Sequence, residues 1–298
     1  MMEKDTDFSP CDYAMERRLR ALNPGLHRRF TETVFSLQYY LSRYRLLFPE
    51  YSDHSDLHSL TVVDFCNRLL GGQMERLNAD ELYALLMGCY LHDTGMGITI
   101  EQYREFSGQI DFGHYFDTHS RDDYATVIRD YHHELSGLFI RRYARLFDIP
   151  SEAHLRAIVQ IARGHRKTDL MDEAEYPAAL QTPGGNPICL PYLASLIRLA
   201  DEIDVAAPRN PALLFDIGAL TDETEIMINS MILAVKRLDM TESDLTLIVD
   251  TPDQKVYEEL KRMAVKMQQV LDYCRGVVAR RTPFAITQTH IALKTISP

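Results

Sequence analysis

Apolar residues recur at helical spacing along most of the first two thirds of the chain. The segment 26–47 (LHRRFTETVFSLQYYLSRYRLL) keeps that period, and so does 55–70. The best-defined stripe lies in 80–93, where Leu82, Leu85, Leu86, Cys89 and Tyr90 fall at i, i+3, i+4, i+7 and i+8 and predict one inward-facing side. Asp93 stands eleven residues beyond Leu82, roughly three turns, and returns to that side. Gly95 and Gly97 then stop the helix. A long helix is predicted over 122–147, with Pro150 beyond its end and Ser151 capping the next one. The stretch 177–191 (PAALQTPGGNPICLP) is dense in proline and glycine and reads as a loop. Helical periodicity resumes over 190–205, with Ala194, Ile197, Asp201 and Asp204 on one stripe.

The pattern changes after Pro208 and Pro211. MILAVKRLDM and LTLIVDT, separated by the polar TESD, read as a hairpin over about 231–250. Residues 253–281 return to a long helix with Leu260, Met263, Ala264, Met267, Val270 and Leu271 as its packing stripe, and 284–296 alternates like a terminal strand. The expectation is a mainly α chain: a helical domain over 1–210, then a small α+β unit over 211–298 whose three strands are covered on one face by that helix. A three-stranded sheet keeps open edges, which suits docking on the helical domain and a homodimer contact.

Composition narrows the classes. A chain of 298 residues, 46% hydrophobic and 25% charged, buries a sizeable core. The net charge of −11 argues against a protein that coats duplex nucleic acid. No apolar run is long enough to span a bilayer, and the start, MMEKDTDFSPCDY, is too acidic and polar for a signal peptide. Five cysteines without a CxxC pair point to reduced thiols in a cytoplasmic protein.

Asp93 and Asp201 change the picture, because each replaces a core residue on an apolar stripe. A buried carboxylate needs a cation or a firm hydrogen-bond network. His92 adjoins Asp93, and His58, His133 and His165 stand at wide intervals around the pair. Imidazole and carboxylate together suit manganese, iron, cobalt, nickel or zinc, and magnesium less well. His132 and His133 are adjacent alternatives. Ser136 and Gly137, small residues that allow a close approach, favour His133. Arg163, Arg166 and Lys167 flank His165 and, with Arg209, are candidates for binding phosphate. Tyr39, Tyr40, Tyr115 and Tyr192 are candidates for stacking a base, although amphipathic packing is the simpler reading of them.

The order H…HD…H…H…D, the glycines after the pair and the helix ending LIRLADEID together resemble the HD superfamily of metal-dependent phosphohydrolases, over roughly residues 50–210. The resemblance implies that His58, His92, Asp93 and Asp201 are the core metal ligands. It further implies that His133 and His165 bind a second metal or contact the substrate phosphate, so that one or two divalent ions are held per chain. The implied reaction is attack of a metal-activated water on a phosphate ester or anhydride of a nucleotide or related small metabolite, with Asp93, His133 and His165 in catalytic roles. Met96 stands where many such hydrolases carry a lysine (HDxGK). The competing class is a catalytically weak, metal-bearing nucleotide sensor or interaction module. Loop 177–191 joins the His165 helix to the Asp201 helix and is expected to act as a gate near the metal, with Gly184 and Gly185 as its hinge.

Overall fold

Residues 10, 12–49, 55–205 and 220–296 are described in the structure, a computed structural model. They form ten α-helices: α1 (Ala14–Leu22), α2 (Pro24–Leu41), α3 (Asp56–Leu70), α4 (Ala79–Leu91), α5 (Ile100–Ser107), α6 (Tyr124–Tyr143), α7 (Glu152–Gly164), α8 (Leu190–Glu202), α9 (Glu223–Ala234) and α10 (Gln254–Arg281). Five short strands complete them: β1 (Leu180–Gln181), β2 (Pro187–Ile188), β3 (Val235–Met240), β4 (Asp244–Val249) and β5 (His290–Thr295). The fold is mainly α with a small C-terminal sheet, as the hydrophobic pattern predicts.

Helix α4 is the axis of the helical body. It starts at a reciprocal cap, in which Asn78 Oδ1 accepts from Glu81 N and Glu81 Oε2 accepts from Asn78 N. Every residue from Asp80 to Leu91 is buried, with α1, α2, α3, α7 and α8 packed around it. The single inward stripe read from the sequence is therefore too narrow. Tyr83, Met87 and Leu91 on the other faces are as buried as Leu82 and Leu86, which is how a helix without a polar side must be placed. At the crossing of α7 with α8, a side chain on Gly164 would meet Ala194 Cβ at 2.7 Å, so a hydrogen there lets the two helices close.

The long helix predicted over 122–147 is regular to Tyr143 and then turns, and Ser151 caps α7 as expected by accepting from His154 N. Residues 231–234, read as strand, form the last turn of α9. Strands β3 and β4 are antiparallel, and β5 returns parallel to β4 after the α10 crossover. Leu245, Leu247 and Val249 alternate toward the buried face of that sheet. Helix α10 packs along α8 as well as on β5. The predicted domain limit at residue 210 lies outside the described residues. The thiols of Cys66, Cys89, Cys189 and Cys274 are free and buried. No helix among the described residues is long and apolar enough to cross a membrane.

The gate predicted over 177–191 is overturned. Its centre is the β1–β2 hairpin, clamped to the start of α4 by three contacts to Asp80 and Glu81. Thr182 Oγ1 and Asn186 Nδ2 donate to Asp80 Oδ2 at 2.9 and 3.2 Å, and Cys189 N donates to Glu81 Oε1 at 3.2 Å. His92 and Asp93 follow the far end of α4, which over 13 residues is about 18 Å away. Asp80 also lies 3.1 Å from His154 Nε2, and hydrogen bonding to His154 first, then to Thr182 and Asn186, holds its carboxyl below its ordinary value despite burial. A depressed carboxyl stabilises the fold above the unfolded carboxylate range, and that contribution is lost as pH falls through its folded value. Asp80→Ala should therefore cost about 2–4 kcal/mol at neutral pH, with the deficit shrinking in acid, and leave metal content unchanged. Denaturant titrations of both proteins at neutral and acidic pH check this. An equal deficit at both would assign the loss to packing alone.

Candidate metal centre

Three helix C-termini converge beside α6 and the start of α3. His92 follows the last turn of α4, His165 follows that of α7, and Asp201 lies in that of α8. Helix C-termini carry partial negative charge, which favours a cation at their meeting point. His58 comes from the first turn of α3, which Ser55 caps by accepting from Leu57 N. Asp93 begins the short 3-10 segment Thr94–Gly97, and Gly95 presses it onto α6. Gly95 N donates to Ser136 Oγ at 2.8 Å, and any side chain at Gly95 would lie 2.3 Å from the carbonyl oxygen of His132.

Two groups of donor atoms result, and Asp93 belongs to both. His58, His92 and Asp93 form one; Asp93, His132 and His165 form the other. In the first, His58 Nε2 lies 3.3 Å from Asp93 Oδ2 and 3.2 Å from Asp201 Oδ1, and His92 Nε2 lies 3.4 and 3.7 Å from the same atoms. Four tetrahedral donors around an ion at about 2.1 Å stand about 3.4 Å from one another, so the spacing fits. In the second, Asp93 Oδ1 lies 3.4 Å from His132 Nε2 and 3.6 Å from His165 Nε2.

The proton positions make a stronger case. His92, His132 and His165 each turn Nδ1 toward the carbonyl three residues earlier, those of Cys89, Arg129 and Ala162, at 2.9, 2.6 and 2.5 Å. His58 Nδ1 faces Asp204 Oδ2 at 2.6 Å. All four Nδ1 atoms are thus donors, which leaves Nε2 of each neutral ring with a lone pair. Yet Nε2 of His58 and His92 are 3.1 Å apart, and those of His132 and His165 are 2.9 Å apart. Neither contact is a hydrogen bond between neutral rings, since no proton lies between the atoms. Facing lone pairs repel, and a divalent cation between them turns that repulsion into coordination. The donor set fits a divalent metal.

The electrostatics agree. Burial opposes charge on His92, but Asp93 and Asp201 outweigh it and raise its pKa to about 10. Burial likewise acts to raise Asp201, but His58 and His92 hold it well below the carboxylate range. Burial, and after it His92, drives His165 well below its ordinary value. Protons are thus drawn to the first group in the metal-free chain, and a bound metal displaces them.

His132, not His133, completes the second group. The reason is helical arithmetic: Ser136, the small residue that meets Gly95, is one turn from His132 and shares its face. Gly137 shares a face with His133 instead and packs on the Arg163 side chain. The His133 ring is buried, its Nδ1 has no hydrogen-bond partner among the described residues, and burial pushes its pKa down to about 2. His132→Ala should weaken uptake of metal at the second group by more than about a hundredfold, beyond what loss of a supporting partner costs. His133→Ala should leave uptake at the wild-type level. Metal titration of the two apo-proteins ranks them, and the opposite order would return the ligand position to His133.

The phosphate candidates separate as well. Arg163 is committed elsewhere: its Nε and Nη2 donate to Glu134 at 2.9 and 2.8 Å, and its Nη1 reaches Gln160 and Glu175. Lys167 is exposed and does not line the cleft. Arg166 does line it, and its guanidinium makes no direct ion pair or side-chain hydrogen bond among the described residues, although its charge acts on Glu202. Arg209 lies outside the described residues. Met96, at the position of the missing lysine, is buried. Tyr192 is buried and stacks on Phe284, Tyr40 donates to the Thr94 carbonyl, and Tyr115 stacks on His119. None of these tyrosines, nor Tyr39, lines the cleft.

That cleft, about 450 Å³, opens from the donor cluster. Its near wall includes His58, Asp93, His132, Asp201 and Asp204. Its far wall comes from the C-terminal unit, with Ile228 and Met231 on α9 and Glu259, Arg262, Met263 and Lys266 on α10. The sequence reading missed both Asp204 and this wall. Asp204 had a signal, one turn beyond Asp201 on the same stripe. The wall had none, because its apolar residues read as packing positions and its charged ones as an ordinary solvated helix face.

The HD-CE family profile matches residues 48–283. The match covers every residue of the donor cluster and runs through α9, β3, β4 and α10, well past the span of the resemblance read from the motifs. No curated protein and no solved structure matches the chain.

Proposed function

The chain belongs to the HD-CE family, and on that footing we propose that it is a metal-dependent phosphohydrolase acting on a phosphorylated small molecule, a nucleotide or related metabolite. The observation that carries the proposal is Asp93, whose two oxygens are divided between two donor groups at the floor of an open cleft. When bound there, a divalent ion lowers the pKa of water toward neutrality and offsets charge gathering on phosphorus. The chain's own residues do the rest. Asp204 fixes the tautomer and tilt of His58. The backbone carbonyls of Cys89, Arg129 and Ala162 do the same for His92, His132 and His165. Arg166 offers its guanidinium to two phosphate oxygens at once. The α9 and α10 walls flank the bound molecule across from the donor cluster. Manganese, iron, cobalt, nickel and zinc suit the mixed donors. Buried, unpaired thiols accord with a cytoplasmic protein.

The test is phosphate release from phosphomonoesters, phosphodiesters and nucleotides, assayed with each of these metals and with magnesium. Turnover that needs the metal and disappears on chelation is expected. A chain that binds metal stoichiometrically yet turns over nothing in the panel would fit the competing class, a metal-bearing sensor or interaction module.

A further inference from the structure

The two walls of the cleft differ in a way that selects among phosphorylated molecules. Among the described residues three cationic side chains line it, and two are already engaged. Lys266 Nζ lies 2.9 Å from Glu202 Oε1, and Arg262 pairs with Glu259. Arg166 alone makes no direct ion pair or side-chain hydrogen bond among the described residues, although its charge acts on Glu202. The other acidic groups, Asp93, Asp201 and Asp204, face the donor cluster and are matched by it. Outside the donor cluster, the three lining cations exceed Glu202 and Glu259 by a single positive charge, which suffices for one phosphate group. Further phosphates on the same ligand would find the remaining lining cations, Lys266 and Arg262, already neutralised by Glu202 and Glu259, and would lose hydration without gaining a free positive partner.

Apolar side chains also line the cleft. Ile228 and Met231 project from α9 and Met263 from α10, and no aromatic side chain lines the space among the described residues. Methionine is unbranched and polarisable, so a pair of them adapts to a flat or irregular body. The volume of about 450 Å³ falls within the range of small-ligand sites and exceeds what a bare phosphate fills.

We infer that the α9–α10 wall makes this a site for phosphomonoesters that carry a single phosphate on an apolar body the size of a nucleoside, with the phosphate at Asp93 and Arg166 and the body on Met231 and Met263. The inference rests on the phosphohydrolase reading for the position of the phosphate, and it names the substrate class of that same site. Nucleoside monophosphates meet the description; triphosphates do not.

Equilibrium binding to the full chain, loaded with Mn²⁺ and freed of excess metal, tests it. The probes are inorganic phosphate, the four ribonucleoside 5′-monophosphates and their triphosphates. The best monophosphate is expected to bind at least about tenfold tighter than both inorganic phosphate and its own triphosphate. Replacing both methionines (Met231→Ala with Met263→Ala) should bring that monophosphate to within about threefold of inorganic phosphate, whose own affinity stays put. Glu259→Gln, a change at a half-buried position that releases Arg262 and removes a negative charge, should tighten the triphosphate by about tenfold without helping the monophosphate. Wild-type chain that binds triphosphates as tightly as monophosphates would overturn the inference. So would a monophosphate advantage that survives loss of both methionines. These preferences with no phosphate release would sink the hydrolase reading and leave the ligand class standing, whereas turnover confined to triphosphates would do the reverse.

Discussion

Asp93→Ala protein should emerge from purification without stoichiometric divalent metal, and its phosphate release should fall by roughly a thousandfold or more. Asp93 is the one side chain shared by both donor groups, with Oδ2 facing His58 and His92 and Oδ1 facing His132 and His165. Removing it leaves each group short of an anionic ligand. The helical fold should survive, because Asp93 lies beyond the last turn of α4 and the contacts of Gly95 with α6 do not pass through its side chain. Elemental analysis and circular dichroism report these two effects separately, and neither depends on knowing the substrate. Asp93→Ala with full metal content would put the metal elsewhere. Lost metal with unchanged turnover would separate the chemistry from the cluster.

What the sequence made legible has a common physical origin. Asp93 and Asp201 could be read because each breaks an apolar stripe, and a buried carboxylate always demands a partner. His58, His92 and His165 followed as the residue types able to supply one. His132 was lost to His133 because Ser136 and Gly137 mark adjacent faces of α6, and only the seat of Gly95 tells which one meets the pair. Arg163 looked like a phosphate ligand because it precedes His165 by two residues. Its true partner, Glu134, stands on another helix, and no local pattern connects them. The gate failed for a related reason. Proline and glycine in 177–191 announce a turn correctly, but the Asp80 side chain that clamps it lies about a hundred residues earlier. Side-chain chemistry that is expensive to bury is visible along the chain, whereas pairings across the fold are not.

Another of those pairings joins α10 to the helical body, and it leads to an expectation opposite to modular independence. A chain ending at residue 208 should fail to unfold cooperatively and should hold less metal than the full chain. Helix α10 buries Leu260, Met267, Leu271, Cys274, Val277 and Val278 almost completely, each with at most 1% exposure. At about 1.5–3 kcal/mol for each large apolar side chain, that stripe amounts to on the order of 10 kcal/mol, comparable with the whole stability of a domain, roughly 5–15 kcal/mol. The retained part loses directed contacts too. Arg281 donates to the carbonyls of Leu170 and Tyr176, Tyr273 accepts from Leu170 N, and Phe284 stacks on Tyr192 with ring centres 4.3 Å apart. Tyr192 belongs to α8, whose last turn carries Asp201, so the disturbance reaches the donor cluster along a single helix. Thermal melts followed by circular dichroism, with elemental analysis of the soluble fraction, test this. A truncated chain that melts cooperatively with wild-type metal would reduce α10 to a cleft wall. A broad transition with depleted metal would make it part of the core that holds the cluster together.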